Sequence, residues 1–108
     1  MKNIALVLTT MPADGRAEAL ARMLVEERLA ACVTLVAPIR SVYRWKDAIT
    51  SEEEQQLLIK TTAHRVAALR ERLLALHPYE LPEFVVLDAE ASDGYVNWVG
   101  AATIERGV

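Results

Sequence analysis

Residues 77–83 (HPYELPE) bring an imidazole, a phenol and two carboxylates into one short segment. Pro78 and Pro82 lack an amide hydrogen and restrict the residue before them, so no regular helix or strand runs through the segment. A leucine-rich helical pattern leads into it, and an apolar strand pattern over residues 84–87 leaves it. Polar connectors between buried elements often carry binding groups. The segment is therefore the first candidate site.

Four side chains in the sequence have donor atoms that suit a divalent metal ion such as copper or zinc. Imidazole and thiolate bind these metals well, and carboxylates add oxygen donors. The candidate ligands are His77, Cys32, Glu80 and Glu83. One cysteine and two histidines are too few for a closed structural zinc site within one subunit. The alternative roles are a buried core thiol for Cys32 and a helix-end cap for His77.

A second set of aromatic and charged side chains is predicted near the ends of secondary-structure elements, namely Tyr43, Trp45, Lys60 and Tyr79. Such groups can line a small-molecule cleft, where Lys60 would meet an anion and Tyr43 or Trp45 would cover an apolar ring. In the alternative, both aromatics anchor a subunit interface, where aromatic residues are enriched. A structural pair between Lys60 and Glu83 is a further alternative.

Composition and the absence of known motifs narrow the function classes. A net charge of −3 without a Lys/Arg cluster argues against nucleic-acid binding. No apolar run approaches the roughly 20 residues of a membrane span. A single cysteine cannot form an intrachain disulfide, which favours a cytoplasmic protein. The chain has no Gly-rich phosphate loop, no GxSxG and no HExxH motif, so we expect a binding protein without a required cofactor rather than an enzyme.

The first part of the chain predicts a strand followed by a helix. Residues 4–10 are apolar on both alternate faces, which is typical of a strand that is covered on both sides. Asp14 is expected to accept hydrogen bonds from the first turn of the helix. Apolar positions then recur at helical spacing, and the helix is predicted to end near residues 29–30.

The middle of the chain predicts two long strands. Residues 32–37 and 41–45 form the first, with a bend or bulge at Pro38. Tyr43 and Trp45 lie two apart and so share one face. Residues 49–61 return as its partner after a short turn, and the acidic run at residues 52–54 is expected to be solvated.

The last part predicts a helix, a strand and a short final helix. Thr62 is expected to cap the helix, whose apolar stripe runs over residues 66–76. Residues 83–87 form the next strand. Asp93 opens a C-terminal helix over residues 95–99.

This order predicts one domain, residues 1–108, of the α+β class. We expect a ferredoxin-like βαββαβ sandwich with a C-terminal helix, in which an antiparallel sheet carries both main helices on one face. Several strands are nevertheless apolar on both faces. In a monomer, the sheet face that carries no helices would expose a larger apolar patch than soluble proteins tolerate. We therefore expect other subunits to cover this face in a homo-oligomer.

Several strings along the chain resemble one known family. They are ERLAACV at residues 27–33, SVYRWK at 41–46, LIKT at 58–61, HPYELPE at 77–83 and YVNW at 95–98. In this order and over nearly the whole chain they are similar to the CutA divalent-cation tolerance proteins. The resemblance implies a tight homotrimer, similar in architecture to PII-type proteins, whose long hairpin reaches a neighbouring subunit.

The resemblance also implies a function. Members of this family are linked to tolerance of copper and other divalent cations, and some carry a metal-linked cysteine and a second histidine where this chain has Thr9 and Leu76. The leading hypothesis is a cytoplasmic homotrimer that binds divalent metal ions weakly, through His77 and the neighbouring glutamates. The alternative is a PII-like sensing or scaffold trimer with a small-molecule cleft between subunits.

Overall fold

The computed structural model describes residues 2–105. Its elements follow in the order β1 (Lys2–Pro12), α1 (Arg16–Glu26), β2 (Cys32–Leu35), β3 (Ile39–Trp45), β4 (Ala48–Thr61), a 3-10 turn (Ala63–Arg65), α2 (Val66–Leu76), β5 (Val85–Ala91) and α3 (Asp93–Ala102). The predicted βαββαβ order with a C-terminal helix is confirmed. The second predicted strand is divided into β2 and β3.

The strands form one antiparallel sheet. β1 and β4 lie at its centre, β5 pairs with β1, and β2 and β3 pair in succession with β4. The strand order β2-β4-β1-β5 confirms the predicted ferredoxin-like arrangement of the α+β class.

A bulge separates β2 from β3. As a result, the odd-numbered residues of β2 and those of β3 lie on opposite faces of the sheet. Leu35 pairs with Leu57 but Ile39 pairs with Glu54, so residues 36–38 oppose only residues 55–56. Pro38, which cannot donate a hydrogen bond to β4, lies in this predicted bulge. Because side chains alternate along a strand, the extra residue moves the odd positions of β3 to the face opposite those of β2.

The main core lies between one sheet face and the helices α1 and α2. This first face carries Val7 and Met11 of β1 and Leu57 and Ile59 of β4, all at most 3% exposed. The helical residues packed against it recur at helical spacing and are fully or almost fully buried, namely Ala17, Leu20, Leu24, Leu69 and Leu73.

The opposite sheet face, which we call the second face, is covered only in part. The prediction that it is bare in a single chain is wrong at one end, because Val99 of α3 packs there with Ile4 and Ala31. Elsewhere Leu8 is half-buried and Leu87 is 45% exposed. Further apolar side chains of this face are Leu6, Leu58 and Val85.

The end of α1 and the predicted cap before α2 differ from their predictions. α1 ends at Glu26, earlier than expected, because Arg28 takes the left-handed conformation with φ 61°. The N-cap is Gly15 and has no side-chain capping bond, but Asp14 accepts the backbone N–H of Arg16, in the first turn, at 3.3 Å. Thr62 precedes the 3-10 turn but makes no capping bond, and its hydroxyl is buried without a partner among residues 2–105.

The last two elements lie near their predicted positions. β5 begins at Val85 rather than at residue 83 and continues to Ala91. α3 contains the predicted residues 95–99 and is longer at both ends. Within residues 2–105, no helix is both long enough and apolar enough to cross a bilayer.

Candidate functional site

A groove of about 630 Å³ lies between the ribbon formed by β3 and β4 and the connector of residues 77–84. This volume is within the range of small-ligand sites. The lining side chains are mostly polar or aromatic, and they are Thr10, Ser41, Tyr43, Trp45, Thr50, Glu52, Glu54, Pro78, Tyr79, Glu80, Leu81 and Glu83. The predicted aromatic residues and the two predicted glutamates of the connector therefore meet in one place.

The strand register explains the ribbon side of the groove. Tyr43 pairs with Thr50 and Ser41 pairs with Glu52, so their side chains share one face of the ribbon. Glu54 follows on the same face because it is two residues from Glu52. Without the bulge before β3, Tyr43 would point to the other face. The bulge is thus what brings the aromatic side chains to the glutamates.

Glu54 and Tyr79 join the two walls of the groove. The phenol of Tyr79 donates a 2.8 Å hydrogen bond to Oε2 of Glu54. Glu54 is only 6% exposed. Burial raises the pKa of the Tyr79 phenol above its ordinary value, and the hydrogen bond to Glu54 raises this pKa further. Tyr79 is therefore a neutral hydrogen-bond donor throughout the physiological range.

His77 is engaged through both ring nitrogens. Its Nδ1 accepts the backbone N–H of Tyr79 at 3.1 Å, so the ring proton lies on Nε2, which donates to the carbonyl oxygen of Thr10 at 2.7 Å. Burial lowers the pKa of His77 below its usual value, against the opposing effect of the Thr10 carbonyl. His77 is not part of the groove lining, and it attaches the connector to β1.

The charged side chains that line the groove among the described residues are all glutamates, namely Glu52, Glu54, Glu80 and Glu83. At the turn between β3 and β4, Lys46 places its Nζ 3.8 Å from Oε2 of Glu80 and 5.7 Å from the ring centroid of Trp45. Lys46 and Glu80 are well exposed, so this ion pair contributes little to stability. The groove is acidic, and Lys46 lies at its rim.

Cys32 and Lys60 form a separate cluster on the second face. They are paired across β2 and β4, and Lys60 Nζ lies 3.8 Å from Cys32 Sγ. Lys60 also donates a 2.7 Å hydrogen bond to Thr34 Oγ1. The predicted Lys60–Glu83 pair is wrong, because Lys60 bonds to Thr34 instead. Lys60 does not line the groove, so the expected cationic group of the cleft is absent from it.

The predicted metal ligands are not brought together within one chain. Among residues 2–105, no three His, Cys, Asp or Glu side chains are grouped so that they could hold a metal ion. Glu80 and Glu83 line the groove, His77 is bonded behind it, and Cys32 lies on the second face. Their spacing in the sequence predicts that the connector residues lie near one another, but it does not predict where Cys32 lies relative to them.

Glu52 and Glu54 are the site residues that sequence reasoning missed. The acidic run was expected to be solvated, which is wrong for Glu54. The hairpin register could have predicted their position, because a two-residue turn pairs Trp45 with Ala48 and so places Glu52 opposite Ser41. Glu52 and Glu54 then lie on the same face as the aromatic residues of β3.

Comparison with known proteins places the chain in a family. Residues 5–102 match the family model described as CutA1 divalent ion tolerance protein. A curated relative, the divalent-cation tolerance protein CutA of Thermus thermophilus, is 47% identical over 94 residues, which is 86% of this chain and 91% of that protein.

Solved structures agree with the sequence matches. The PII-like protein CutA from Nostoc sp. PCC 7120 superposes with a TM-score of 0.88 at 38% identity, covering 94% of this chain and 99% of that one. The protein described as the periplasmic divalent cation tolerance protein CutA of Archaeoglobus fulgidus also gives 0.88, at 27% identity, with coverage of 94% and 99%. With the same fold and sequence matches across nearly its full length, the chain belongs to the CutA1 divalent ion tolerance protein family.

Proposed function

We propose that this protein binds divalent cations weakly, including copper-type ions, and contributes to metal tolerance as a binding protein rather than an enzyme. The observation that carries the proposal is the groove, whose charged lining among the described residues consists of glutamates alone. Clefts lined by charges of one sign concentrate ions of the opposite sign. Carboxylate oxygens are ligands for divalent cations, and Glu80 and Glu83 are both exposed, with Glu80 held only by the solvent-exposed ion pair to Lys46.

His77 can join such a site only at a cost, which supports weak rather than tight binding. A metal ion on Nδ1 would replace the hydrogen bond from the Tyr79 amide, and an ion on Nε2 would replace the bond to Thr10. Cys32 lies on the second face, so in this proposal it meets a metal ion only if a neighbouring subunit supplies further ligands. The proposed ligands in one chain are therefore Glu80 and Glu83, and His77 would join them only after the connector rearranges.

The proposed assembly is a cytoplasmic homotrimer in which the second faces of three chains pack together. The half-buried and exposed leucines of this face support an oligomer, because Leu8 and Leu87 would otherwise face water. Thr10 and Glu54 lie on the same side of the sheet by strand alternation, so the groove lies at the hairpin end of this face. The proposed packing uses the end of the face that carries Leu8 and Leu87, and it leaves the groove open. The unpaired Cys32 thiol supports a reducing compartment.

Calorimetric titration with Cu²⁺ and Zn²⁺ tests the metal proposal. The Glu80→Gln/Glu83→Gln double variant is expected to lose most of the binding heat, and His77→Ala is expected to retain weakened binding. Glu90→Gln, an exposed glutamate of β5 outside the groove, is the matched control and should bind as the wild type does. Equal binding by the double variant would remove the groove from the proposal.

A second candidate function is a PII-like role in which the groove holds a small metabolite. The groove volume and the aromatic walls formed by Tyr43, Trp45 and Tyr79 favour it, and one structural relative is named PII-like. A thermal-shift screen of nucleotides, carboxylates and amines would test it. Stabilisation by a metabolite in the presence of a metal chelator would support this role, and a response to metal ions alone would support the first.

A further inference from the structure

Glu54 is a buried carboxylate that has no positive partner among the residues that the structure describes. It is 6% exposed, and Oε2 accepts the hydrogen bond of the neutral Tyr79 phenol. Among residues 2–105, the carboxylate has no other hydrogen bond and no ion pair with Lys, Arg or His. Removing a carboxylate from water without pairing it is costly, so such a group is normally matched by a cation. Glu54 lines the groove, and a cation could therefore reach it from there.

Lys46 shows what kind of cation the groove rim accommodates. Its ammonium lies within the range of a cation–π contact with Trp45 and close to the Glu80 carboxylate. Trp45 and Glu80 both line the groove, whereas Lys46 does not. The primary ammonium of Lys46 thus lies between the Trp45 ring and the Glu80 carboxylate at the mouth of the groove. Because both charged groups are well exposed, a ligand can replace this ammonium without a large loss of stability.

The remaining lining distinguishes between classes of ligand. An anion would meet four glutamates and no lysine, arginine or histidine among the described lining residues. An aliphatic chain would find apolar surface on the rings of Tyr43, Trp45 and Tyr79. Ammonium groups at the two ends of such a chain would match the carboxylates and could donate hydrogen bonds to them.

From this geometry we propose that the groove binds a small aliphatic diamine. One ammonium meets the buried Glu54 carboxylate, and the other replaces Lys46 between Trp45 and Glu80. The proposal uses the same groove as the proposed cation function and rests on that groove being open to solvent. It does not require that a metal ion binds there.

Isothermal titration with 1,4-diaminobutane in the presence of EDTA tests the proposal. The wild-type protein is expected to bind the diamine and not the neutral isostere 1,4-butanediol. Glu54→Gln should weaken binding about tenfold or more, because a charge-assisted hydrogen bond is lost. Glu80→Gln, at an exposed side chain that is not needed for folding, should weaken it severalfold. Glu90→Gln should bind as the wild type does.

Lys46→Gln provides an independent test of where the second ammonium lies. Binding should become severalfold tighter, since the competing ammonium is removed while Trp45 and Glu80 remain. Unchanged or weaker binding by this variant would overturn that placement. The whole proposal is overturned if the wild type shows no diamine binding, if butanediol binds equally well, or if neither Glu54→Gln nor Glu80→Gln weakens binding.

Metal titration of the same preparations separates this proposal from the proposed function. Diamine binding without any metal response would support the diamine and remove the metal function. Metal binding without a diamine response would do the reverse.

Discussion

The phenol of Tyr79 and the carboxylate of Glu54 are joined by a 2.8 Å hydrogen bond, although the two residues lie 25 positions apart in the sequence. Glu54 belongs to β4 and Tyr79 to the connector between α2 and β5. The bond therefore attaches the connector to the sheet and supplies a donor to the buried carboxyl group of Glu54. His77, two residues earlier, makes a second attachment to Thr10 of β1.

Tyr79→Phe should lower the free energy of unfolding by about 1–2 kcal/mol, because it leaves the buried Glu54 carboxylate without its donor. Urea denaturation at neutral pH measures the change. Tyr95→Phe is the matched control, since Tyr95 is exposed and contacts Trp98 through its ring rather than its hydroxyl. A loss of stability in the control as large as that in Tyr79→Phe would contradict the role of the bond.

Stability should fall as the pH decreases below about 6.5, the ordinary pKa of histidine. Burial lowers the pKa of His77 in the folded protein, so the unfolded chain binds more protons between the folded pKa and 6.5. The stability that neutral His77 contributes is complete above pH 6.5, and it is lost as the pH falls towards the pKa of His77 in the folded protein. Protonation of Nδ1 would also remove the hydrogen bond from the Tyr79 amide.

Denaturant midpoints between about pH 7.5 and 5 measure this dependence, and His77→Gln should flatten it. NMR titration of the His64→Gln variant, which retains His77 alone, would give the pKa directly. A folded-state pKa for His77 at or above the ordinary value would refute the prediction.

Leu87→Glu should disrupt the proposed trimer, because it places a charge on the second face, which we expect to be buried between chains. Wild-type protein should sediment at three times the 12.0 kDa chain mass, and the variant should form smaller species. Leu74→Glu on α2 replaces a leucine that is 37% exposed and lies away from this face, so it should remain trimeric. A folded wild-type monomer at micromolar concentration would contradict the assembly.

Asp47→Gly should stabilise the protein by about 0.5–1 kcal/mol through the turn between β3 and β4. Trp45 pairs with Ala48, and the two turn residues, Lys46 and Asp47, have φ of 49° and 64°. This is the pattern of a type I′ turn, in which glycine avoids the Cβ strain of positive φ. Thermal or chemical unfolding measures the gain. Glu53→Gly, placed in regular strand, should instead destabilise by about 0.5–1 kcal/mol.

Much of the fold was predictable because alternation and helical spacing are local properties. The apolar positions of residues 4–10 and 66–76 gave β1 and α2, and Pro38 marked the bulge. The one large error concerned α3, whose Val99 covers part of the second face. A short apolar segment does not encode which face of a distant sheet it will contact.

Local sequence is sufficient to predict the kinds of groups at the site and their spacing along each element. It placed Tyr43 two residues from Trp45, and it placed Tyr79 and Glu80 in a proline-restrained connector. These features follow from backbone chemistry within a few residues, so they do not depend on how the chain folds over itself.

Which groups meet at the site depends on contacts between distant parts of the chain. A one-residue bulge set the face of Tyr43, the β4 register buried Glu54 beneath Tyr79, and pairing with β2 placed Lys60 beside Cys32 rather than in the groove. The physical reason is that alternation gives a side chain one of two faces, while strand pairing between distant residues decides which face and which neighbour. The groove is acidic because of those pairings.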